Sequence, residues 1–289
     1  VFSYMHDNTS VRAVEALGYD KAGSIWVSKK SGVYSYNLHS GKTKKMLDEQ
    51  AKSFYTDSSG FIWLGCLDGI IRKYEHSTGN FETYRILPPE RNYINNIISF
   101  YEDDNKQLWI GTDGRGVCRF DLETKQVKAH YEKKNSGKDD TSGGLSGNEV
   151  YDIYQDSAGR LWFGTNYGLN LFDKTEGGFI PYSDGYVYTI YEDSKTGLWF
   201  GSREGLYNLQ LGSVKSSKTD SDLRLLNMKD GLSNNMVFGI LGDGEGNIWL
   251  STAFGISKLD LDTLKFRNYS EKYGLQDNKF TPACYTKTD

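Results

Sequence analysis

Short apolar runs alternate with turns that contain Asp and Gly along the whole chain, and residues 156–169 show this pattern most clearly. Leu161 and Phe163 flank Trp162, an alternation that suits a strand whose two faces lie in different environments. An Asp and a Gly come just before this run. Asp bonds its own backbone and Gly accepts a positive φ, so the pair favours a tight turn. Gly168 allows a second reversal, so the stretch predicts three short strands joined by two tight turns.

The stretch recurs six times, once around each Trp of the chain: Trp26, Trp63, Trp109, Trp162, Trp199 and Trp249. Six positions before each Trp stands an Asp: Asp20, Asp57, Asp103, Asp156, Asp193 and Asp243. The steps from Trp to Trp are 37, 46, 53, 37 and 50 residues. An internal repeat of this size predicts a solenoid or a propeller.

Each unit divides into four strands, A to D. Strand A is the apolar run before the repeat Asp, strand B holds the Trp, strand C follows a second Gly, and strand D is a short aromatic run. Four antiparallel strands in about 40–45 residues are typical of a propeller blade, which buries both faces against its neighbours. We therefore predict an all-β fold: a seven-bladed β-propeller of four-stranded antiparallel blades, with the last blade incomplete in this chain.

The six complete blades are predicted at residues 11–45, 51–85, 96–131, 149–182, 186–228 and 236–269. Residues 1–5 have the pattern of a strand D and residues 279–285 that of a strand A, so both ends would contribute to the seventh blade. The repeat runs from end to end and predicts a single β-propeller domain over 1–289. Because the chain starts in mid-pattern, we expect it to be a fragment of a longer protein.

Composition agrees with this architecture and narrows the function. The 289 residues include 21 Tyr, 14 Phe and 32 Gly but only 4 Pro, which is an all-β composition. The net charge of −4 is small and unsegregated and indicates no nucleic-acid partner. No apolar run is long enough to cross a bilayer, so membrane attachment would require segments outside this sequence.

Strand order decides which loops share an end of the propeller. The A–B and C–D turns lie at one end, here called the bottom. The B–C turns and the D-to-A links lie together at the other end, here called the top. Bottom turns are nearly uniform, whereas top loops differ in length and residue type, as expected of a recognition surface on a rigid scaffold.

The candidate ligand-binding residues all lie at the predicted top. Asn recurs eight positions before the repeat Asp, where its amide would suit a hydroxyl-rich ligand, although Asn also ends loops by bonding the backbone. Aromatic and charged residues of neighbouring loops could supply ring faces and polar groups for a sugar. The candidates are Asn95, Asn148, Asn235, Asn278, Tyr93, Arg115, Tyr167, Tyr186, Arg203 and Phe254.

Catalytic and metal chemistry find little support. The four His residues fall outside the strand A starts and the B–C turns, so no His-based metal site or acid–base group is predicted at the top. The repeat Asp residues have a fixed place that indicates turn chemistry. No pair of acids is marked as a glycosidase pair. We therefore predict no catalytic residue, no metal and no cofactor.

The consensus Asp-x-x-Gly-x-Leu/Ile-Trp-Phe/Leu-Gly-Thr-x-x-Gly-Leu resembles the regulatory-propeller repeat of bacterial two-component sensors. The stretches 57–70, 156–169 and 243–256 match it well, as do the links 230–237 and 273–280, and the likeness covers nearly the whole chain. Two departures are Lys106 in place of the turn Gly and Ser28-Lys29 in place of Gly-Thr. The resemblance implies the periplasmic sensor region of a membrane-spanning hybrid histidine kinase.

Many such sensors detect oligosaccharides released from polysaccharides, so the expected function is extracytoplasmic sensing of an oligosaccharide that controls polysaccharide-utilisation genes. The resemblance carries over no ligand residue, because the repeat motif is structural. Two other classes stay open: a propeller lyase acting on a cyclic peptide, which a fainter resemblance suggests, and a protein-interaction scaffold. A homodimer also stays open.

Overall fold

The computed structural model of the chain describes residues 14–89, 95–133, 144–211, 223–275 and residue 280. These residues form six four-stranded antiparallel sheets, and in each sheet the strands lie side by side in chain order. The predicted all-β architecture of propeller blades is confirmed. The segments assigned to the seventh blade, 1–5 and 279–285 apart from residue 280, lie outside the described residues.

The strands of the first three sheets are β1 (Val14–Tyr19), β2 (Ser24–Lys29), β3 (Gly32–Asn37), β4 (Thr43–Leu47), β5 (Ser53–Thr56), β6 (Ile62–Gly65), β7 (Ile70–Glu75), β8 (Asn80–Arg85), β9 (Ile97–Glu102), β10 (Gln107–Thr112), β11 (Val117–Asp121) and β12 (Gln126–Tyr131). Those of the last three are β13 (Val150–Gln155), β14 (Leu161–Thr165), β15 (Gly168–Asp173), β16 (Gly178–Pro181), β17 (Val187–Asp193), β18 (Gly197–Ser202), β19 (Leu206–Leu209), β20 (Leu223–Leu226), β21 (Val237–Gly242), β22 (Asn247–Thr252), β23 (Ile256–Asp260) and β24 (Lys265–Tyr269).

The first strand of each sheet packs against the first strand of the next sheet. The contacts run from β1 to β5, β9, β13, β17 and β21, so these six strands form the inner wall of the propeller. Five apolar clusters fill the spaces between successive sheets. In each cluster the Trp of one sheet meets residues of the next; Trp162, for example, packs with Leu198 and Phe200. Burial between sheets is therefore the main source of stability.

The repeat Trp residues are held by hydrogen bonds as well as by packing. Five of them are at most 1% exposed, while Trp249 of the sixth sheet is only half-buried. In sheets one, two, three, four and six the indole Nε1–H donates to the repeat Asp six residues earlier, at 2.6, 2.8, 2.8, 2.8 and 3.3 Å. A buried indole N–H needs such an acceptor. The constant spacing of six thus has a second cause besides turn chemistry.

In the fifth sheet the buried indole N–H has a different acceptor. There Trp199 Nε1 donates to Thr196 Oγ1 at 2.9 Å, and that hydroxyl in turn lies 2.9 Å from Asp193 Oδ1. The turn Gly has moved one position later than in the fourth sheet, to Gly197 with φ 89°. In the third sheet the turn position holds Lys106, which takes the left-handed conformation at φ 60° without being a glycine.

The Gly two positions after the Trp lets neighbouring sheets approach closely. A Cβ on Gly111 would lie only 2.6 Å from the carbonyl oxygen of Val150 in the next inner strand. The first sheet has Ser28 at this position, and its Oγ accepts the backbone N–H of Ala51 at 2.8 Å. The substitution therefore keeps the contact between sheets and changes it from packing to a hydrogen bond.

Backbone hydrogen bonds establish the two ends of the propeller. At the top, B–C turns bond to D-to-A links: Gly69 N–H donates to the Asn95 carbonyl at 2.7 Å, and Gly116 N–H to that of Asn148 at 2.8 Å. At the bottom, C–D turns bond to A–B turns, as in Leu38 N–H to the Gly23 carbonyl at 3.0 Å. The grouping of loops predicted from strand order is present in the structure.

Candidate ligand-binding site

The predicted Asn residues that the structure describes make contacts within the loops. Asn148 Oδ1 accepts the backbone N–H of Lys133 at 2.6 Å, and Asn235 Oδ1 accepts that of Met228 at 2.9 Å. Asn95 is 2% exposed, so its amide is buried below the surface. These are the contacts of residues that end a loop before a strand. Asn278 and Tyr93 lie outside the described residues.

Arg115 is also placed in a structural contact. Its Nε donates to Glu132 Oε1 at 2.6 Å, and its side chain is 13% exposed. The backbone N–H of the same residue donates to Thr112 Oγ1 at 2.8 Å. The guanidinium therefore closes the B–C turn of the third sheet against the link that follows it.

Tyr167 and Phe254 are exposed on the top, at 57% and 54% of their surface. They occupy equivalent positions in the B–C turns of the fourth and sixth sheets. Their backbone N–H groups donate to Thr165 Oγ1 and Thr252 Oγ1. The ammonium of Lys133 lies 4.0 Å from the centre of the Tyr167 ring, a cation–π distance. Both aromatic side chains are thus available to a partner.

Tyr186 and Arg203 are brought together, as a shared site requires. The guanidinium of Arg203 lies 3.7 Å from the centre of the Tyr186 ring. Its Nε donates to the Tyr188 hydroxyl at 3.0 Å. Two neighbouring tyrosines therefore fix the plane and the direction of this guanidinium.

Three further aromatic residues extend this pair, and the sequence analysis missed them. We call Tyr151, Tyr186, Tyr188 and Phe238 the aromatic platform. Ring centres are 6.3 Å apart between Tyr151 and Tyr186, 5.1 Å between Tyr151 and Tyr188, and 5.2 Å between Tyr188 and Phe238. The platform spans the inner strands of the fourth, fifth and sixth sheets. Tyr188 and Phe238 are 7% and 8% exposed, so the partly exposed rings of Tyr151 and Tyr186 form the accessible part of the platform, where a sugar ring could stack.

A β-bulge in each of the inner strands β13, β17 and β21 explains why these side chains lie together at the top of the propeller. The pairing of β13 with β14 skips Tyr151, that of β17 with β18 skips Tyr188, and that of β21 with β22 skips Phe238. A bulged residue leaves the ladder and its side chain is re-aimed. Each lies five positions before the repeat Asp, a regularity visible in the sequence that would have identified the position.

The same position in the first three sheets has a different chemistry. There it holds Glu15, Lys52 and Ile98. Lys52 Nζ and Glu15 Oε2 form an ion pair at 2.9 Å. One half of the inner ring at the top is therefore closed by a charge pair, and the other half is aromatic.

Glu149 supplies the carboxylate beside the platform. It accepts a hydrogen bond from the Tyr151 hydroxyl through Oε2, and another from Asn166 Nδ2 at 3.0 Å through Oε1. Burial and then the neighbouring Glu149 raise the pKa of Tyr151, so its phenol stays protonated and donates. The site thus combines ring faces, a guanidinium, a carboxylate and an amide.

A cavity of about 560 Å³ lies at the opposite end, below the first three sheets. Its wall includes Phe54 and Tyr55, together with Ser58, Glu102 and Lys106. These polar groups already bond one another: Glu102 accepts from Ser58 N–H at 2.6 Å and from Ser58 Oγ at 2.7 Å, and Lys106 Nζ lies 3.1 Å from it. The cavity is a concave surface, but its polar side chains are used in joining sheets.

The described residues contain no group of three or more His, Cys, Asp or Glu side chains that could hold a metal ion. The helical segments in the described part of the chain are two three-residue 3₁₀ turns, Met228–Asp230 and Glu271–Tyr273, and no helix there could span a membrane.

The repeats match the family model described as the two-component regulator propeller. The matched residues are 94–114, 144–167, 181–204 and 231–254. A curated relative, histidine kinase P4 of Formosa agariphila, is 26% identical over 293 residues, which cover 91% of this chain and 21% of the kinase. The chain therefore spans about a fifth of the length of that relative.

Solved structures agree with this relationship. The extracellular domain of a putative hybrid two-component system from B. thetaiotaomicron matches with a TM-score of 0.79 and 28% identity, over 99% of this chain and 38% of the other. A second such domain from the same organism matches with a TM-score of 0.51 and 20% identity, over 91% of this chain and 44% of the other, and shows the fold alone. The resemblance indicated by the sequence is confirmed: four stretches of the chain match the two-component regulator propeller, and the chain is similar over nearly its whole length to the extracellular domain of a putative hybrid two-component system.

Proposed function

We propose that this chain is a periplasmic ligand-sensing module that binds an oligosaccharide at its top end and so controls genes for polysaccharide use. The observation that carries the proposal is the aromatic platform with Arg203 and Glu149 beside it. Sugar rings have an apolar face that stacks on aromatic rings, and hydroxyls that bond to charged and amide groups. The platform offers both within one surface.

The position of the platform suits a sensor that receives a ligand from outside. Its accessible rings, Tyr151 and Tyr186, come from two successive sheets, so one ligand would contact both sheets at once. Two apolar clusters hold the fourth, fifth and sixth sheets together, which makes the platform rigid before binding. A rigid site loses little freedom on binding, and more of the contact energy appears as affinity. We propose that the histidine kinase activity belongs to another part of the longer protein.

Calorimetry against a panel of oligosaccharides tests the proposal. We expect one class to bind the wild type, and Tyr186→Ala to weaken that binding by about 1–3 kcal/mol because a ring face is lost. Asn80→Ala is the matched control, since Asn80 is an exposed residue at the bottom start of β8. Failure of every oligosaccharide to bind would overturn the proposal. Turnover of a glycan or a cyclic peptide would instead establish an enzyme.

A second candidate function has its own observation. Met228, Phe254 and Tyr273 are exposed and lie around the top of the sixth sheet, where Tyr273 packs its ring edge on Tyr269. Exposed apolar side chains that gather in one place are typical of a protein interface. Sedimentation of the purified chain distinguishes a protein interface from ligand sensing. A dimer that dissociates in the variants Met228→Ser and Phe254→Ser would support a scaffold or a homodimer.

A further inference from the structure

We propose that the oligosaccharide is anionic, and that Arg203 binds its carboxylate or sulfate group. This inference rests on the proposed function, since it names the ligand class of the same site. It is carried by the geometry of one guanidinium and by what surrounds it.

Arg203 is held in place before any ligand arrives. Its guanidinium stacks at 3.7 Å on the ring of Tyr186, which lies just before β17, and its Nε donates to the Tyr188 hydroxyl at 3.0 Å. These two contacts use one ring face and one of the three nitrogens. The two terminal nitrogens therefore form the free end of a fork whose plane is fixed.

That free end has no protein partner within the described part of the chain. No hydrogen bond from either terminal nitrogen is formed there, and no carboxylate oxygen of the described residues lies within 4.0 Å of Arg203. Two other arginines differ: the guanidinium of Arg160 is 2.6 Å from Asp156, and that of Arg72 is 3.0 Å from Glu49. Arg203 is thus a pre-aligned cation on a recognition surface.

Two acids near Arg203, Glu149 and Glu204, influence where the anionic group of a ligand would lie. Both Glu149 oxygens are occupied, by Tyr151 and Asn166. The carboxylate of Glu204 points to Gly185, where an added Cβ would lie 3.4 Å from Oε2. Like charges repel, so the anionic group of a ligand would face the Arg203 fork and its neutral hydroxyls would face Glu149. The arrangement would fix the direction in which the sugar lies.

Arginine is the side chain suited to this role. Its fork forms two parallel hydrogen bonds to a carboxylate or a sulfate, and such charge-assisted bonds are about twice as strong as neutral ones. A lysine offers only a point charge. We therefore expect the anion to bind about tenfold more tightly than a neutral analogue, or more. One such charge-assisted contact supplies about the 1.4 kcal/mol that a tenfold difference in Kd requires.

The test compares three oligosaccharides with the same ring and linkage: a uronate oligomer, its carboxyl-reduced neutral form, and a sulfated form of the neutral oligomer. Dissociation constants are measured by calorimetry with the wild type, Arg203→Gln and Arg203→Lys. The matched control is Arg267→Gln, since Arg267 also lies over a tyrosine ring, that of Tyr269, at 5.3 Å. Thermal melting of each variant reports whether the fold is kept.

We expect the wild type to bind the uronate or the sulfated form at least about tenfold more tightly than the neutral form. Arg203→Gln should abolish that ratio, Arg203→Lys should leave part of it, and Arg267→Gln should keep it. Which anion binds tells a carboxylate ligand from a sulfate ligand. Equal affinity of the wild type for neutral and anionic forms would overturn this inference and leave the proposed function standing, whereas absence of binding by all three forms and the wider panel would overturn both.

Discussion

At the bottom end the propeller repeats the same contacts from sheet to sheet, whereas at the top end one repeated backbone position carries different side chains. Ser58 donates its N–H and its hydroxyl to Glu102 at 2.6 and 2.7 Å, and Ser157 makes the same pair of bonds to Glu192 at 2.7 and 2.6 Å. Gln155 and Asp104 form a related bond at 3.0 Å. The bottom end joins neighbouring sheets.

At the top end, the bulge position holds an ion pair in the first two sheets and aromatic rings in the last three. Polar groups of the bottom are bonded by the next sheet, while the guanidinium of Arg203 keeps a free end. The comparison shows how a repeat protein can separate stability from recognition. Residues that join neighbouring sheets stay constant, and the residues to which we assign ligand binding vary.

The largest expected effect concerns the core that both ends share. Trp162 is fully buried against the fifth sheet and bonded to Asp156, so Trp162→Ala should lower the free energy of unfolding by about 3–5 kcal/mol. Chemical denaturation followed by circular dichroism measures this loss. Trp249 is half-buried, and Trp249→Ala is the control with a smaller expected loss. Equal losses would contradict the account of burial between sheets.

A pH-dependent effect is expected just below the platform. Asp152 stands where the second, third and fifth inner strands have Ser53, Ser99 and Thr189, and it accepts the Ile190 N–H at 2.7 Å. Burial raises its pKa from 3.8 to about 7, against the weaker opposite effect of its hydrogen bonds. The folded state then binds more protons than the unfolded state between these values. The contribution of Asp152 to stability is therefore full below about pH 4 and is lost as the pH rises to about 7.

Asp152→Asn removes that titration. The free energy of unfolding of the variant, relative to the wild type, should increase with pH by up to about 1.4 kcal/mol per unit between pH 4 and pH 7. Denaturation at several pH values in one buffer series gives the difference. A difference that is constant across this range would show that Asp152 is ionised in the fold like an exposed carboxyl.

A smaller loss is expected at the bottom bonds. Burial raises the pKa of Glu102, but hydrogen bonds from Ser58 and Lys106 outweigh it, and the pKa is lowered overall. Glu102→Gln should lower stability at pH 7 by about 1–2 kcal/mol, because bonds to a charged acceptor become bonds to an amide. The loss should shrink as the pH falls below about 4.5, because the unfolded state takes up a proton there while the carboxylate of the fold is still ionised.

Ligand affinity separates the two ends in this experiment. Glu102→Gln should bind the ligand of the top end as the wild type does, even though Glu102 lines the bottom cavity. Glu123→Gln, an exposed carboxyl change in a bottom turn, is the control that should alter neither stability nor affinity. A clear loss of affinity in Glu102→Gln would move recognition to the bottom cavity.

The smallest effect is expected in the charged half of the top ring. Lys52→Ala removes the ion pair with Glu15, and partly exposed pairs contribute about 0–1 kcal/mol. Affinity for the oligosaccharide should not change, because this half lacks the aromatic platform. Calorimetry on Lys52→Ala beside Tyr151→Ala compares the two halves at one backbone position. Equal loss in both variants would mean that the ligand spans the whole channel mouth.

Much of the fold could be predicted from the sequence, because the motif that determines each sheet is repeated six times. The Asp-to-Trp spacing, the alternation around each Trp and the turn glycines identified the blades, the strand order and the two ends. Trp199 shows the limit: its Asp is in place, but the bond goes to Thr196 in a turn whose Gly lies one position later. Such an exchange depends on turn geometry that spacing alone does not determine.

The candidate site was predicted only in part. Tyr186 and Arg203 were chosen correctly as top residues, and the structure brings them together. Tyr151, Tyr188 and Phe238 were missed because regular alternation assigns each side chain to one face of the strand, whereas a bulge adds a residue and re-aims it. The Asn residues were overweighted, since a side chain that bonds its own loop looks the same in sequence as one that awaits a ligand.

Hydrogen–deuterium exchange with and without the bound oligosaccharide tests the central claim most directly, because it reports both ends of the propeller in one experiment. We expect ligand to slow exchange of backbone amides in residues 148–151, 185–188 and 203–204 at the top of the fourth and fifth sheets. Residues 18–21, 54–58 and 102–106 around the bottom cavity should exchange as they do in the free chain. Slower exchange at the bottom, with no change at the top, would contradict the account.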